Sequence, residues 1–468
     1  MSEQRASVNE HRVSTLADGV RVVSERVENV RSAALGIWIG TGSAMESDAQ
    51  AGITHLLEHM LFRGTDRYRS REIDEIFDAL GAEINAGTDR ESTSLYTRVL
   101  DRHLERAFDV AAEMVWRPRF EDLEAEREVV LEEIAMYEDD PQDRVFDLLG
   151  GAVFGEHPLG RATIGTADVV GGVTLEQLRE FHAERYTPPR IVIAAAGSVE
   201  HDALLELARA HPLSAGAPGR RSGALNGASV GREGTEADAG AKMAADGHPD
   251  AEPGPARDPT TDLPGPRFER RVRFAGKDTE QYHVCLGGRG ISRHDERRFA
   301  LRVLEGVLGG TSSSRLFQEV RERRGLAYSV FTFSSQFAST GEVGLYVGTR
   351  PDNLQEALAT VAGELERLLE DPASPAELER SRENLKGRVA LSLESTAARM
   401  SRLGGALLGD MPILSIDEIV DRIDAVTVAD LRELARELYA PANLSAAGIG
   451  PDEEAFRRAL RPLEKVAV

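Results

Sequence analysis

The residues best suited to chemistry are His55, Glu58 and His59, in the run His55-Leu-Leu-Glu58-His59. Side chains four apart on an α-helix differ by about 40° in azimuth and about 6 Å in rise, so both imidazoles leave one face and can grip one ion. Zinc takes neutral imidazole nitrogens at about 2.0 to 2.1 Å, and a hydrolytic site keeps three protein ligands and one open position for water. Glu58 follows His55 by three residues on the same face, where it can take a proton from that water. The order H-x-x-E-H inverts the commoner H-E-x-x-H. These polar residues interrupt an apolar stripe of Ile53, Leu56, Leu57, Met60, Leu61 and Phe62, where unpaired ionisable groups are costly to bury. A metal accounts for them and a solvated helix face does not.

A third ligand is needed, and the acidic segment Glu124-Ala-Glu126-Arg-Glu128-Val-Val-Leu-Glu132-Glu133 supplies candidates. Glu126, Val130 and Glu133 fall on one helical stripe, whereas Glu132 lies about 100° away, so Glu133 is the expected ligand. Glu126, two turns earlier, is placed to hydrogen-bond a ligand histidine or the ligand carboxylate.

The elements that must position these groups can be read from periodicity. Strands are expected near 20–25, 33–39, 83–86 and 92–99, and helices over 52–62, 71–80, 102–116 and 123–137. Paired strands beside paired helices point to an α+β architecture with mainly antiparallel sheets. Between Ser214 and Pro266 the composition shifts to Gly, Ala and Pro without an aromatic residue, which reads as a flexible linker between a metal-binding domain over 1–213 and a second domain over 267–468. The halves resemble each other. Val173-Thr-Leu-Glu-Gln-Leu-Arg-Glu and Tyr186-Thr-Pro188 recur as Val426-Thr-Val-Ala-Asp-Leu-Arg-Glu and Tyr439-Ala-Pro441, each 253 residues later. Thr174 and Thr427 are the expected helix N-caps. A second echo sets Leu57, Glu58 and Leu61 against Leu304, Glu305 and Leu308, with Arg302 and Gly306 where the histidines stand, so the metal chemistry belongs to the first half.

Composition narrows the partners. The 468 residues carry 56 Lys and Arg against 79 Asp and Glu, a net charge of −23 that repels phosphate backbones and anionic head groups, so nucleic acid and membrane are excluded as expected partners. The start of the chain lacks an apolar signal core, no apolar run is long enough to span a bilayer, and the single cysteine, Cys285, forms no intrachain disulfide; the expectation is a soluble protein of the cytoplasm. Cys285 is read as a core residue, with His283 on the opposite face of its strand. Gly40-Thr-Gly42 is a turn rather than a dinucleotide fingerprint, and no phosphate-binding Gly-x-x-x-x-Gly-Lys motif occurs. His103, His157 and His182 are left unassigned, since such histidines are more often structural than ligands.

The motifs together carry a resemblance. Gly52 to Thr65 around the paired histidines, Glu126-Arg-x-Val-Val-Leu-Glu-Glu133, Asn85-Ala-Gly-Thr-Asp-Arg-Glu-Ser-Thr, Leu308-Gly-Gly-Thr-Ser-Ser-Ser-Arg-Leu-Phe and Val320-Arg321-Glu-Arg-Arg-Gly-Leu-Ala-Tyr328-Ser resemble the pitrilysin or insulinase family of inverted-motif zinc peptidases. Within that family they resemble the half-length branch, with the β-subunit of mitochondrial processing peptidase and its bacterial relatives. The resemblance implies a zinc endopeptidase of two homologous α+β domains. In it His55, His59 and Glu133 bind Zn2+, Glu58 is the general base, and extended peptides lie along the strand of Asn85 and Ala86. It also implies a dimer enclosing a chamber, with Arg321 and Tyr328 reaching substrate from the second-type domain. A homodimer and a heterodimer with a homologous subunit both satisfy that pattern. Noncatalytic core subunits share the fold, and the intact His55, Glu58, His59 and Glu133 argue against that role here.

Overall fold

The computed structural model describes residues 11–213 and 265–464. The segment read as a linker over 214–266 lies outside the described residues except for its last two. Among the described residues no helix is long and apolar enough to cross a membrane.

Six strands, β1 (His11–Thr15), β2 (Arg21–Arg26), β3 (Ser32–Ile39), β4 (Ile84–Thr88), β5 (Thr93–Leu100) and β6 (Ile191–Gly197), form the first sheet in the order β1-β2-β6-β3-β5-β4. Four helices of this half matter for the site: α1 (Ile53–Met60), α2 (Leu123–Asp139), α3 (Pro141–Phe154) and α4 (Leu175–Arg185). The second sheet, β7 (Val272–Gly276), β8 (Tyr282–Gly290), β9 (Ala327–Gln336), β10 (Gly341–Thr349) and β11 (Ser445–Gly450), is ordered β7-β11-β8-β10-β9. Its partner helices are α5 (Arg298–Leu308), α6 (Pro375–Ser392), α7 (Thr396–Leu408) and α8 (Val428–Leu438). Each sheet is antiparallel except for one pair, β2 with β6 and β7 with β11. The two sheets therefore share one layout, and the fold is α+β in two homologous units. Strand β1 is an addition to the first unit that periodicity does not announce.

The duplication extends to single hydrogen bonds. Thr174 Oγ1 accepts from Gln177 N–H at 3.2 Å and Thr427 Oγ1 accepts from Asp430 N–H at 3.3 Å, the two caps expected from the repeat. The Arg127 guanidinium donates to the Val173 carbonyl, and that of Arg382 donates to Val426. Those bonds fix the register of α2 against α6. Arg127 stands opposite Arg382, so Glu126 matches Ser381 and Glu133 matches Arg388.

The halves also trade helices. Helix α3 leaves the first half and covers the second sheet, with Val145, Leu149 and Val153 against Cys285, Tyr346, Ala447 and Ile449. Helix α7 covers the first sheet with Met400, Leu403 and Leu408 on Val23, Ala34, Trp38 and Val192. The contact is close enough that a Cβ at Gly404 would stand 2.4 Å from the Trp38 ring, so only glycine fits there. Each such fully buried apolar side chain contributes about 1.5 to 3 kcal/mol. Ion pairs reinforce the exchange: Glu25 meets Arg399 and Arg402, and Glu91 meets Arg293. Cys285 is fully buried, but the two-residue repeat of a strand puts His283 on its own face of β8 rather than the opposite one, where His283 Nδ1 lies 2.8 Å from Tyr346 Oη.

Candidate metal centre

Helix α1 is held from both ends of its sequence logic. Its apolar residues Ile53, Leu56, Leu57 and Met60 are fully buried, which leaves His55, Glu58 and His59 on the remaining face. Gly52 precedes it at φ +96°, a left-handed position where a Cβ would also stand 2.7 Å from Val170. The buried Glu46 carboxylate accepts from Gly52 N–H at 2.9 Å and Thr54 N–H at 2.8 Å, satisfying donors at the start of the helix. Burial pushes the Glu46 carboxyl up to about 7 against those two hydrogen bonds.

Helix α2 crosses α1 and brings Glu133 to the histidines. Glu133 Oε2 lies 3.3 Å from His59 Nε2 and 3.7 Å from His55 Nε2, and one ligand atom from each residue falls within 4.8 Å of the others. Ligands at about 2.1 Å from a tetrahedral zinc stand about 3.4 Å apart, so the spacing suits that ion. Glu132 is exposed and takes no part. His59 Nδ1 lies 2.8 Å from Glu126 Oε1, and a carboxylate can only accept, so Nδ1 is the donor of that pair and Nε2 is the ring nitrogen that faces Glu133. Burial, with the neighbouring His59, lowers His55 to about 4, which leaves a neutral imidazole ready to ligate. The donor set fits Zn2+.

Glu58 is pushed up from the ordinary carboxylate range, chiefly by burial, with the charge of Glu133 adding to it. Thr88 Oγ1 donates to Glu58 Oε2 at 2.6 Å and opposes that rise. Sequence reasoning missed Thr88, although it lies inside Asn85-Ala-Gly-Thr88, and it missed Arg63, whose guanidinium pairs with Glu126. Asn85 and Ala86 sit on β4, the edge strand, paired with Tyr96 and Leu95 on one side only. The same strand thus carries an open backbone edge and the hydroxyl that steadies Glu58.

Arg321 and Tyr328 are elsewhere. The Arg321 guanidinium lies 4.4 Å over the Tyr328 ring and 4.7 Å over Phe317, and Tyr328 is 78% exposed. Among the described residues no hydrogen bond, ion pair or ring contact joins either of them to His55, Glu58, His59 or Glu133. Of the histidines left unassigned, His157 Nδ1 accepts from Leu159 N–H and His182 Nε2 donates to the Val115 carbonyl at 2.8 Å.

Comparison with known proteins agrees with this geometry. The family model "Insulinase (Peptidase family M16)" matches residues 21–167, and "Peptidase M16 inactive domain" matches residues 172–385. An uncharacterized zinc protease of Streptomyces coelicolor is 40% identical over 452 residues, 95% of this chain and 91% of that protein. A probable β-subunit of mitochondrial processing peptidase from Arabidopsis thaliana is 29% identical, covering 97% of this chain and 81% of that one. A solved peptidase M16 inactive domain from Pseudomonas fluorescens shares the fold at a TM-score of 0.80 and 21% identity, covering 95% of this chain and 98% of its own. With both segments matched and the metal-binding constellation in the first, the chain belongs to the insulinase family of peptidases, M16.

Proposed function

We propose that the chain is a zinc-dependent metalloendopeptidase that hydrolyses peptide bonds in extended segments of unfolded peptides or presequences. One observation carries this reading: His55, His59 and Glu133 converge with His59 locked by Glu126, and an elevated carboxyl, Glu58, stands beside them. Bound by these three residues, Zn2+ supplies Lewis acidity, polarising the scissile carbonyl and lowering the pKa of a water molecule to about 7. Glu58 takes the proton of the attacking water and passes it to the leaving amide nitrogen, and its raised pKa suits it to both transfers. Thr88 holds the carboxylate in place for them. Substrate joins β4 as an added strand at Asn85 and Ala86, so recognition depends on backbone more than on sequence.

The proposed active unit is a dimer. Among the described residues neither Arg321 nor Tyr328 contacts Glu58 within one chain, and Tyr328 is open to solvent. From a second chain, Arg321 would hold a substrate carbonyl or carboxylate and Tyr328 would donate to the developing oxyanion. Cleavage of an unstructured peptide should stop on chelation and return with zinc. Inactive Glu58→Gln chains mixed with inactive Tyr328→Phe chains should recover activity, because one mixed site combines two intact halves. Chelator-resistant cleavage would defeat the metal reading, and proven subunit exchange without recovery would defeat the trans arrangement.

A further inference from the structure

The counterpart of the metal centre in the second half is not blank. Register places Arg302 opposite His55 and Arg388 opposite Glu133, with Glu305 opposite Glu58. At the third position Gly306 replaces His59, and a Cβ there would stand 2.3 Å from Ser381 Oγ, so α5 and α6 close over the place of the second imidazole. Arg302 and Arg388 remain exposed and line a cleft of about 600 Å³ together with Glu305, Ser334 and Asn384. Among the described residues neither guanidinium has a hydrogen-bond or ion-pair partner. Glu305 is the one carboxylate lining the cleft; burial pushes it up from the ordinary range, against a Ser334 hydrogen bond and the charge of Arg302.

We infer that this cleft is an anion subsite in which Arg302 and Arg388 grip a carboxylate of a bound peptide. Where the first half presents two imidazoles and carboxylates to a cation, the second presents two forks of N–H donors to an anion. A planar guanidinium matches a carboxylate with two parallel hydrogen bonds, and a second one neutralises the charge that remains. The Asn384 amide and the Ser334 hydroxyl add polar groups to the same wall. The carboxylate can come from an acidic side chain or from the C-terminus of the peptide. This deepens the proposed peptidase function and rests on it for the identity of the ligand as a peptide.

The test is calorimetric titration of the zinc-loaded full chain carrying Glu58→Gln, which binds peptide without consuming it. Three peptides of roughly ten residues are compared: an uncharged amide, the same sequence with a free C-terminal carboxylate, and the amide with glutamates introduced. At least one carboxylate form should bind about tenfold or more tightly than the uncharged amide, the size expected of a charge-assisted pair. Adding Arg302→Gln and Arg388→Gln should reduce that ratio to near one. The Arg302→Lys and Arg388→Lys pair, which keeps the charge but not the fork, should retain part of it. Equal affinity for all three peptides, or a preference that survives the double Gln variant, overturns the anion subsite. Arginine-dependent binding in a chain whose wild type cleaves nothing would sink the peptidase reading alone; cleavage with no arginine-dependent preference would sink the subsite alone.

Discussion

Two copies of one architecture stand side by side in this molecule, and they differ in charge at corresponding positions, with Arg388 opposite Glu133 and Arg302 opposite the neutral imidazole of His55. In the first, α1 and α2 aim His55, His59 and Glu133 at a common point, backed by Glu126. In the second, α5 and α6 carry Arg302, Gly306 and Arg388, backed by Ser381, whose hydroxyl donates to the Val303 carbonyl at 2.8 Å. The scaffolding is retained in both, as the paired Arg127 and Arg382 bonds and the paired caps show. Buried Tyr186 and Tyr439 also match, and burial raises the phenol of each. The difference teaches that both frames keep the anchors of α2 and α6, while among the described residues only one carries the candidate ligands.

The largest expected effect tests the functional half of that contrast. Glu58→Gln should leave zinc bound and lower peptide cleavage by about 10²- to 10⁴-fold, the usual share of general-base catalysis. Undiminished turnover in a preparation free of other proteases would remove Glu58 from the chemistry. Glu126→Gln comes next. Freed from its carboxylate partner, His59 loses its fixed tautomer, and zinc affinity measured by competition with a chelator should fall about 10- to 100-fold. Unchanged affinity would mean that the His59 to Glu126 bond does not orient the ligand.

Thr88→Val should cost cleavage about tenfold or less, since one hydrogen bond to a charged group is lost. The sign of its pH effect is the sharper check. The Thr88 donor holds the Glu58 carboxyl down, so its removal lets burial raise that carboxyl further, and the acid limb of the cleavage profile should move to higher pH. A shift to lower pH would contradict the arrangement.

How much of this was legible in the sequence depends on the kind of residue. The H-x-x-E-H run, the choice of Glu133 over Glu132 and the repeated caps followed from helical spacing, because three and four residues always bring side chains to one face. Helices α1 and α2 appear within two residues of their expected bounds. The pairing of Glu133 with Arg388 was not read from the sequence, although Leu123-Glu124-Ala-Glu126-Arg127-Glu128 recurs as Leu378-Glu379-Arg-Ser381-Arg382-Glu383, because so short an echo on an acidic helix stands out only once the Arg127 and Arg382 bonds reveal the register. Thr88 was missed because its partner lies 30 residues away on another element. The exchange of α3 and α7 also escaped, for an amphipathic helix does not state which sheet it will cover.

A stability comparison sets the acids ahead of α1 and α5 against each other. Glu46 is held up by burial to about 7, whereas Asp295, hydrogen-bonded to Arg297, is held below its ordinary value. Between the unfolded value of 4.5 and about 7, native Glu46 keeps a proton that the unfolded chain has released, so this group contributes stability at low pH that is lost as pH rises through that window. Denaturant titrations from about pH 5 to about pH 7.5 should show wild type losing up to about 3 kcal/mol relative to Glu46→Gln. The Asp295→Asn comparison should be flat over that range and should lose stability only as pH falls below the ordinary 3.8, because a depressed carboxyl keeps its contribution until it takes up a proton. Parallel slopes for the two would erase the contrast.

The central claim is that one of the two frames holds a metal and the other does not. Zinc content per chain, measured by elemental analysis after dialysis against trace zinc, tests it most directly in wild type and in Glu133→Gln. The account predicts one zinc per chain in wild type and close to none in the variant. Two zincs per wild-type chain, or full zinc retained by Glu133→Gln, would contradict it.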